Sequence, residues 1–166
     1  INDPRLIEAA KKYGYRIKYV LHPIVSAQVN DFDKNDYVDI IPAVGDMSYE
    51  TMFRESSLMV TDFSGIQFDF AYMRKPLVYL HHKDIPQHYE EGTFFYDTMA
   101  FGEIAHDNDE LIDLLCEYMA SGCKMKEEYV RRADDFFYYN DHNNCKRIYD
   151  TMIEYQEKKI LPYRQK

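Results

Sequence analysis

The sequence has 166 residues, of which 46% are hydrophobic, with 16 Tyr, 10 Phe and a formal net charge of −9. This length and apolar content predict one folded domain and exclude a disordered chain. The acidic balance argues against a general nucleic-acid binder, because such proteins present a basic face to phosphates. No apolar run approaches the ~18 residues that predict a membrane span.

The three cysteines, Cys116, Cys123 and Cys145, form no CxxC pair and suggest neither a disulfide framework nor a zinc site. An odd number of scattered thiols is typical of reduced cysteines in the cytoplasm. The sequence begins without methionine or a signal peptide, so we expect a piece of a longer protein. We expect residues 1–158 to form the domain and residues 159–166 a frayed tail.

Helix and strand patterns alternate along the chain. A proline in the first turn, apolar residues at helical spacing and a glycine at the end predict a helix over 4–13. Short apolar runs that end in polar residues or proline predict strands at 16–21, 38–41, 58–62, 77–81 and 103–106. The other predicted helices are 48–56, 66–74, one opening at Asp107, 124–139 and 141–158. This order predicts an α/β fold, a parallel sheet with helices on both faces.

Polar clusters follow several of the predicted strands. In an open parallel sheet, ligands bind at the carboxyl ends of the strands, where helix N-termini also point. His22 ends the first strand, and Asp46-Met47-Ser48 opens the second helix. The turn Thr61-Asp62-Phe63-Ser64-Gly65 joins the third strand to the third helix. A fourth cluster, running from Asn140 to Arg147, begins the last helix.

The turn at 61–65 has the composition of a phosphate site. Its small residues let a ligand approach the backbone, where the N–H groups of Gly65 and Ile66 face an anion and the hydroxyls of Thr61 and Ser64 add donors. The same Asp-x-Ser-Gly pattern also makes a good helix N-cap with nothing bound. The composition leaves both interpretations open.

His22 is followed by Pro23, which holds the preceding residue extended and presents the imidazole at the strand end. A histidine there can donate to a phosphate or transfer a proton near neutral pH. The alternative is an ordinary surface histidine in a strand-to-helix loop.

Two other groups are expected to be structural. His81, His82, Asp84 and His88 match no zinc spacing, and adjacent strand residues face opposite sides, so we expect no metal site. The aromatic run 136–139 at helical spacing is expected to lie in the core, with a stacking surface as the alternative.

Three stretches in order resemble one known family: KKYGYRIKYVLHP at 11–23, SYETMFRESSLMVTDFSGIQFDFAYMRKPLVY at 48–79 and FFYYNDHNNCKRIY at 136–149. Over residues 5–158 the chain resembles the C-terminal domain of the CDP-glycerol:poly(glycerophosphate) glycerophosphotransferases. The middle stretch corresponds to the family motif I-T-D-Y-S-S-x-x-x-D-x-x-x-x-x-K-P.

The resemblance implies a GT-B architecture of two Rossmann-like halves, of which this chain is the C-terminal, donor-binding half. It implies transfer of glycerol phosphate from CDP-glycerol to a growing teichoic-acid-type polymer, with release of CMP. It further implies a bacterial, membrane-associated enzyme on the inner face of the cell membrane, with no cofactor. The lipid-linked acceptor would bind to the N-terminal half, which this sequence lacks, so the isolated domain is expected to be inactive.

The resemblance also assigns roles to individual residues. His22 would contact the phosphate under attack or serve in proton transfer. Cytosine recognition is expected near 43–48, which includes Met47 and Ser48. The residues expected to hold the donor pyrophosphate are Thr61, Asp62, Ser64, Gly65, Ile66, Asp141, Asn144 and Arg147. Arg147 is the expected cationic partner, because a guanidinium binds two phosphate oxygens at once.

The chain departs from the family pattern at two places. Gly65 stands where the motif has its second serine, and Asp-His-Asn-Asn-Cys at 141–145 stands where some members have Asp-Gly-x-x-Ser. The alternatives are a related transferase that uses CDP-ribitol or a nucleotide sugar and, from another class, a noncatalytic α/β module that binds a protein partner.

Overall fold

The computed structural model describes residues 1–33, 35–42, 48–84, 92 and 94–158. The strands are β1 (Ile17–Val20), β2 (Val38–Ile41), β3 (Met59–Thr61), β4 (Leu77–Leu80) and β5 (Gly102–Ala105). The α-helices are α1 (Pro4–Tyr13), α2 (Tyr49–Glu55), α3 (Ile66–Tyr72), α4 (Tyr96–Met99), α5 (Asn108–Ala120), α6 (Glu127–Phe136) and α7 (Asn144–Glu157). A 3-10 helix spans Pro23–Asp31.

Helix α1 forms where its end signals predict. The Asp3 side chain accepts a hydrogen bond from the Arg5 N–H, and Pro4 occupies the first turn. At the other end, Gly14 adopts a left-handed conformation with φ 76° and donates its N–H to the Ala10 carbonyl. Glycine takes this conformation without the steric cost that a Cβ brings, so the helix ends there.

All strand pairings are parallel, as predicted, but the described strands form two hydrogen-bonded sets. β1 pairs with β2, and β4 lies between β3 and β5. The sequence predicts one parallel sheet. The alternation of apolar strands and helices predicts parallel pairing well, whereas strand neighbours depend on tertiary packing.

Strand β4 is buried on both faces. Leu77, Val78 and Tyr79 are all 0% exposed. Val78 belongs to a core cluster with residues of α1 and α5, while the adjacent Tyr79 donates its hydroxyl hydrogen bond to Gln67 of α3. Because adjacent strand residues point to opposite faces, helices cover both sides of β4. The domain therefore has the Rossmann-like α/β fold that the sequence predicts.

Glycine at position 102 is required by the close pairing of β4 and β5. A Cβ built on Gly102 would lie 1.9 Å from the Leu77 carbonyl oxygen, well inside any permitted contact. At the next residue of β5, the Glu103 carboxylate accepts a hydrogen bond from the Tyr118 hydroxyl of α5 at 2.6 Å. Lys126 forms ion pairs with both Glu103 and Glu117. These contacts connect α5 and the segment before α6 to β5.

Several elements differ from the prediction. Helix α6 ends at Phe136 rather than at 139, and neither α4 nor the 3-10 helix was predicted. Both missed elements lack a clear apolar period, since α4 has only four residues and the 3-10 helix has no buried residue. The chain divides into two compact units, residues 1–133 and 134–166. The candidate site residues of each unit are therefore described separately.

Candidate functional site

The turn at 61–65 leads directly from β3 into α3. Thr61 is buried, whereas Asp62 and Gly65 are exposed. The Asp62 carboxylate accepts a hydrogen bond from the Ser64 N–H at 3.0 Å, so this side chain shapes its own turn. Gly65 occupies the N-cap without a side-chain cap, and a Cβ there would meet no atom within 4 Å. The space beside the Gly65 Cα is therefore open, which is compatible with the phosphate interpretation.

A buried polar network lies behind this turn. Gln67, in the first turn of α3, is 2% exposed. Its Oε1 accepts from the Tyr79 hydroxyl at 2.9 Å, and its Nε2 donates to the Tyr96 hydroxyl at 3.0 Å. The Phe101 N–H donates to the same Tyr79 oxygen at 3.3 Å. Since a buried amide is stable only when both ends are paired, the network fixes the start of α3 relative to β4 and α4.

Aromatic rings extend the support to the turn itself. The Phe63 ring stacks on the His81 imidazole, with centroids 4.0 Å apart and planes 15° apart. Tyr96 meets both rings edge to face, at 5.5 Å from Phe63 and 4.6 Å from His81. Burial lowers the pKa of His81, and the hydrogen-bonding influence of the Asp62 backbone partly opposes that shift. The ring that supports the turn is therefore predominantly a neutral imidazole at neutral pH.

His22 follows β1 and caps the 3-10 helix. Its backbone is extended, with φ −62° and ψ 144°, as the proline after it predicts. The Nδ1 atom accepts a hydrogen bond from the Ile24 N–H at 3.2 Å. That contact assigns the neutral-ring proton to Nε2, which makes Nε2 the donor of this exposed side chain.

Of the two expected base-region residues, Met47 lies outside the described residues and Ser48 caps α2. The Ser48 Oγ accepts from the Thr51 N–H at 3.2 Å and donates to the Thr51 hydroxyl at 3.1 Å. The prediction of an N-cap at Ser48 is confirmed. Its role in base recognition stays a prediction.

The lysine of the family's K-P pair has a structural role that the sequence did not suggest. Lys75 Nζ donates to the carbonyls of Phe53, Arg54 and Ser56 at 2.6, 2.8 and 2.7 Å. These carbonyls belong to the C-terminal end of α2, where a cation is favoured. Lys75 thus joins the end of α2 to the start of β4, and burial lowers its pKa.

In the second unit, the structure brings Asp141, Asn144 and Arg147 together. Arg147 pairs with Asp141, donates to Asn144 Oδ1 at 2.9 Å and lies 3.6 Å from the centroid of the Tyr139 ring. The guanidinium lowers the pKa of Asp141 to about 2. We name residues 139–147 the arginine cluster. Tyr139 is its unpredicted member, and the Arg-on-aromatic geometry shows why the preceding aromatic run matters here.

Two sequence interpretations change in this unit. Tyr138 is 85% exposed, and Phe136 and Tyr139 are also exposed, so the expectation that the run 136–139 lies in the core is wrong for these three residues. The helical spacing behind that expectation ends with α6 at Phe136.

His142 has φ 58°, in the left-handed region. Some family members have glycine at this position. Glycine adopts a left-handed conformation without the steric cost of a Cβ, which explains why it suits this backbone.

The structure gives no support to a metal hypothesis or a membrane span within its described ranges. Over residues 1–33, 35–42, 48–84, 92 and 94–158, no group of three or more His, Cys, Asp or Glu is arranged to hold a metal ion. In the same ranges no helix has the length and hydropathy needed to cross a membrane. His88, one of the four residues weighed for a metal, lies outside them.

A cavity of about 410 Å³ lies at the amino ends of β3 and β4, whereas the 61–65 turn follows the carboxyl end of β3. Its lining comes from the residues before β3 and β4, together with those after α5. It includes Arg54, Arg74, Lys75 and Lys124, but Lys75 and Arg74 donate to backbone carbonyls at the ends of α2 and α3. Two of these four cations therefore bind helix C-termini, and none of the predicted donor residues that the structure describes lines this cavity.

The parallel strand pairings and the helices on both faces of β4 define an α/β domain of Rossmann-like fold. Residues 1–154 match the family described as CDP-Glycerol:Poly(glycerophosphate) glycerophosphotransferase, and the chain belongs to this family. The chain is 39% identical over 160 residues to the minor teichoic acid biosynthesis protein GgaB of Bacillus subtilis (strain 168). That match covers 96% of this chain and 17% of the relative. No solved structure matches the chain.

Proposed function

We propose that this chain is the donor-binding domain of a CDP-glycerol glycerophosphotransferase of teichoic-acid-type polymer synthesis. The observation that carries the proposal is the family match over residues 1–154, which includes every residue predicted to contact the donor. The open backbone at Gly65 and the preassembled arginine cluster support it, because both are suited to phosphate oxygens.

The proposed reaction is phosphoryl transfer. A glycerol hydroxyl of the acceptor polymer attacks the β-phosphorus of CDP-glycerol, forming a P–O bond to the acceptor. The bond from that phosphorus to the oxygen bridging the α-phosphate breaks, and CMP leaves with the electron pair. The hydroxyl proton passes to a general base. Positioning and charge neutralisation supply most of the catalysis in such reactions.

The predicted roles divide between the two units. In the first unit, the amides of Gly65 and Ile66 and the hydroxyl of Ser64 would hold pyrophosphate oxygens, while the Ser64 N–H stays with Asp62. His22 would donate Nε2–H to the phosphate under attack or exchange a proton with it. In the second unit, Arg147 would neutralise a phosphate while Asp141 and Asn144 orient its guanidinium. We propose no metal cofactor. We also propose a GT-B partner half that supplies the lipid-linked acceptor, and an association with the inner face of the membrane.

Calorimetric titration of the chain with CDP-glycerol, CMP, CDP-ribitol and UDP-glucose tests the proposal. We expect CDP-glycerol and CMP to bind with affinities in the range of about micromolar to millimolar, and UDP-glucose to bind at least about tenfold more weakly. Tighter binding of CDP-ribitol or UDP-glucose than of CDP-glycerol would reassign the donor. Absence of binding by all four ligands, in a sample shown to be folded by circular dichroism, would refute the donor-site proposal.

A further inference from the structure

Phe63 and His81 lie at equivalent places just beyond the carboxyl ends of the neighbouring strands β3 and β4. In the parallel register of these strands, Thr61 pairs with Tyr79. Two residues after this pair, Phe63 and His81 lie side by side, with ring centroids 4.0 Å apart. The imidazole therefore contacts the middle residue of the turn proposed to hold the donor phosphates.

The surroundings of His81 would suit a phenyl ring better than an imidazole. The ring packs between Phe63 and Tyr96, and its Nε2 is buried without a hydrogen-bond partner among the described residues. An unpaired buried nitrogen costs about 1–3 kcal/mol, which phenylalanine would avoid. Stacking alone does not require a histidine at this position, whereas an imidazole can also take up a proton.

The ionisable groups around the ring come from four elements. Asp62 belongs to the turn, Tyr79 to β4, Tyr96 to α4, and His106 follows β5. Burial lowers the pKa of His81, His106 lowers it further, and Asp62 opposes both through its backbone and its charge. The lowered pKa favours the neutral ring at neutral pH, and a new negative charge at the turn would favour its protonated form.

The lysine nearest to His81 in the sequence is already paired with an acid. Lys83, two residues beyond His81, lies 3.8 Å from the Asp107 carboxylate. The neighbouring His82 faces Asp84 at 3.7 Å. A donor pyrophosphate at the turn carries about two negative charges, and an imidazole beneath Phe63 is placed to offset part of them.

We propose that His81 is a positioning residue that takes up a proton when a nucleoside diphosphate diester binds at the 61–65 turn. This inference rests on the proposed donor site and adds a proton-linked group to it. In the protein without ligand, the stack on Phe63 holds the turn in shape. When the donor binds, the positive charge of the protonated ring attracts the phosphates held at the turn. Donor affinity therefore rises as the pH falls through the range where His81 titrates.

The test is calorimetry with CDP-glycerol in two buffers that differ in ionisation enthalpy. The two phosphates of this ligand are esterified and stay ionised, so any proton that the complex takes from the buffer near pH ~6.5 is accepted by a group of the protein. In the wild type we expect uptake of about half a proton, and a three- to tenfold gain in affinity between about pH 8 and pH 6. In His81→Phe we expect the uptake to fall by at least about half and the pH-dependent gain to fall below about twofold.

The control is His82→Gln, which removes the adjacent imidazole that does not contact Phe63. It should retain the wild-type proton uptake. His81→Phe keeps the ring stack and removes the unpaired nitrogen, so we expect an unfolding midpoint no lower than that of the wild type. If this variant does not fold, NMR titration of the histidine Cε1 protons in the wild type, with and without CDP-glycerol, measures the same proton uptake at His81.

The outcomes separate the two proposals. Binding of CDP-glycerol with equal proton uptake in the wild type and in His81→Phe, or with an unchanged His81 titration, would overturn the role of His81 and leave the donor site standing. Binding of CDP-ribitol or UDP-glucose in place of CDP-glycerol would change the donor, and the same measurement would then be made with that diester. If no diester binds, both proposals fall.

Discussion

The 61–65 turn and the arginine cluster at 139–147 are held in shape by different forces. The turn rests on buried groups, above all the Gln67 amide with its two tyrosine partners and the ring stack of Phe63 on His81. The arginine cluster is exposed, and its shape comes from an ion pair and a cation–π contact between near neighbours in the chain. Changes behind the turn should therefore affect folding, whereas changes in the cluster should affect ligand binding.

The strongest test of this difference is Gln67→Ala. Removing the amide breaks its hydrogen bonds to the hydroxyls of Tyr79 and Tyr96 and opens a cavity in the core. We expect the free energy of unfolding to fall by about 3 kcal/mol, measured by urea denaturation. Gln28→Ala, at an exposed glutamine of the same unit, is the control and should change it by less than about 0.5 kcal/mol. A loss below about 1 kcal/mol for Gln67→Ala would show that the network does not support the turn.

The complementary test is Arg147→Gln. The guanidinium is proposed to bind phosphate oxygens, so we expect the affinity for CDP-glycerol to fall about tenfold in calorimetry. Because exposed ion pairs contribute little to stability, the unfolding midpoint should stay close to that of the wild type. Lys146→Gln is the matched control, since it removes the neighbouring cation, which pairs with Asp150. Equal losses of affinity in both variants would mean that charge, and not the cluster geometry, matters.

The smallest expected effect is that of His142→Gly. His142 adopts φ 58° within the arginine cluster, and the left-handed conformation strains a residue with a Cβ. We expect glycine there to stabilise the protein by up to about 1 kcal/mol, measured by urea denaturation. Asn143→Gly, where φ is −98°, is the control and should destabilise the protein slightly. Destabilisation by both substitutions would indicate that the His142 side chain contributes a contact worth more than the backbone strain.

Local signals predicted most of the secondary structure. Helix α1 has the predicted bounds, and the strands lie within one residue of the predicted ones at each end, because caps, prolines and apolar runs act over a few residues. The turn after β3 and the extended His22 were predicted for the same reason. Strand neighbours were not, since the division into β1–β2 and β3–β4–β5 depends on contacts between distant segments.

The missed residues of the candidate site share one physical cause. Gln67, Tyr96 and His81 support the turn from three different elements, and nothing in their sequence spacing indicates that they meet. Tyr139 was noticed only as part of an aromatic run, and its contact with Arg147 appears once α6 ends at Phe136. Side-chain contacts across elements follow from packing, which a single sequence does not specify.

The sequence by itself determined the fold class, the family and the positions of the turn and of His22, because these depend on periodicity and on short motifs. The tertiary structure decided what stands behind them. The register of β3 against β4 brings Phe63 onto His81, and burial of the imidazole lowers its pKa and leaves its Nε2 unpaired. Register and burial arise only when distant segments pack together, and they turn a five-residue motif into a supported site.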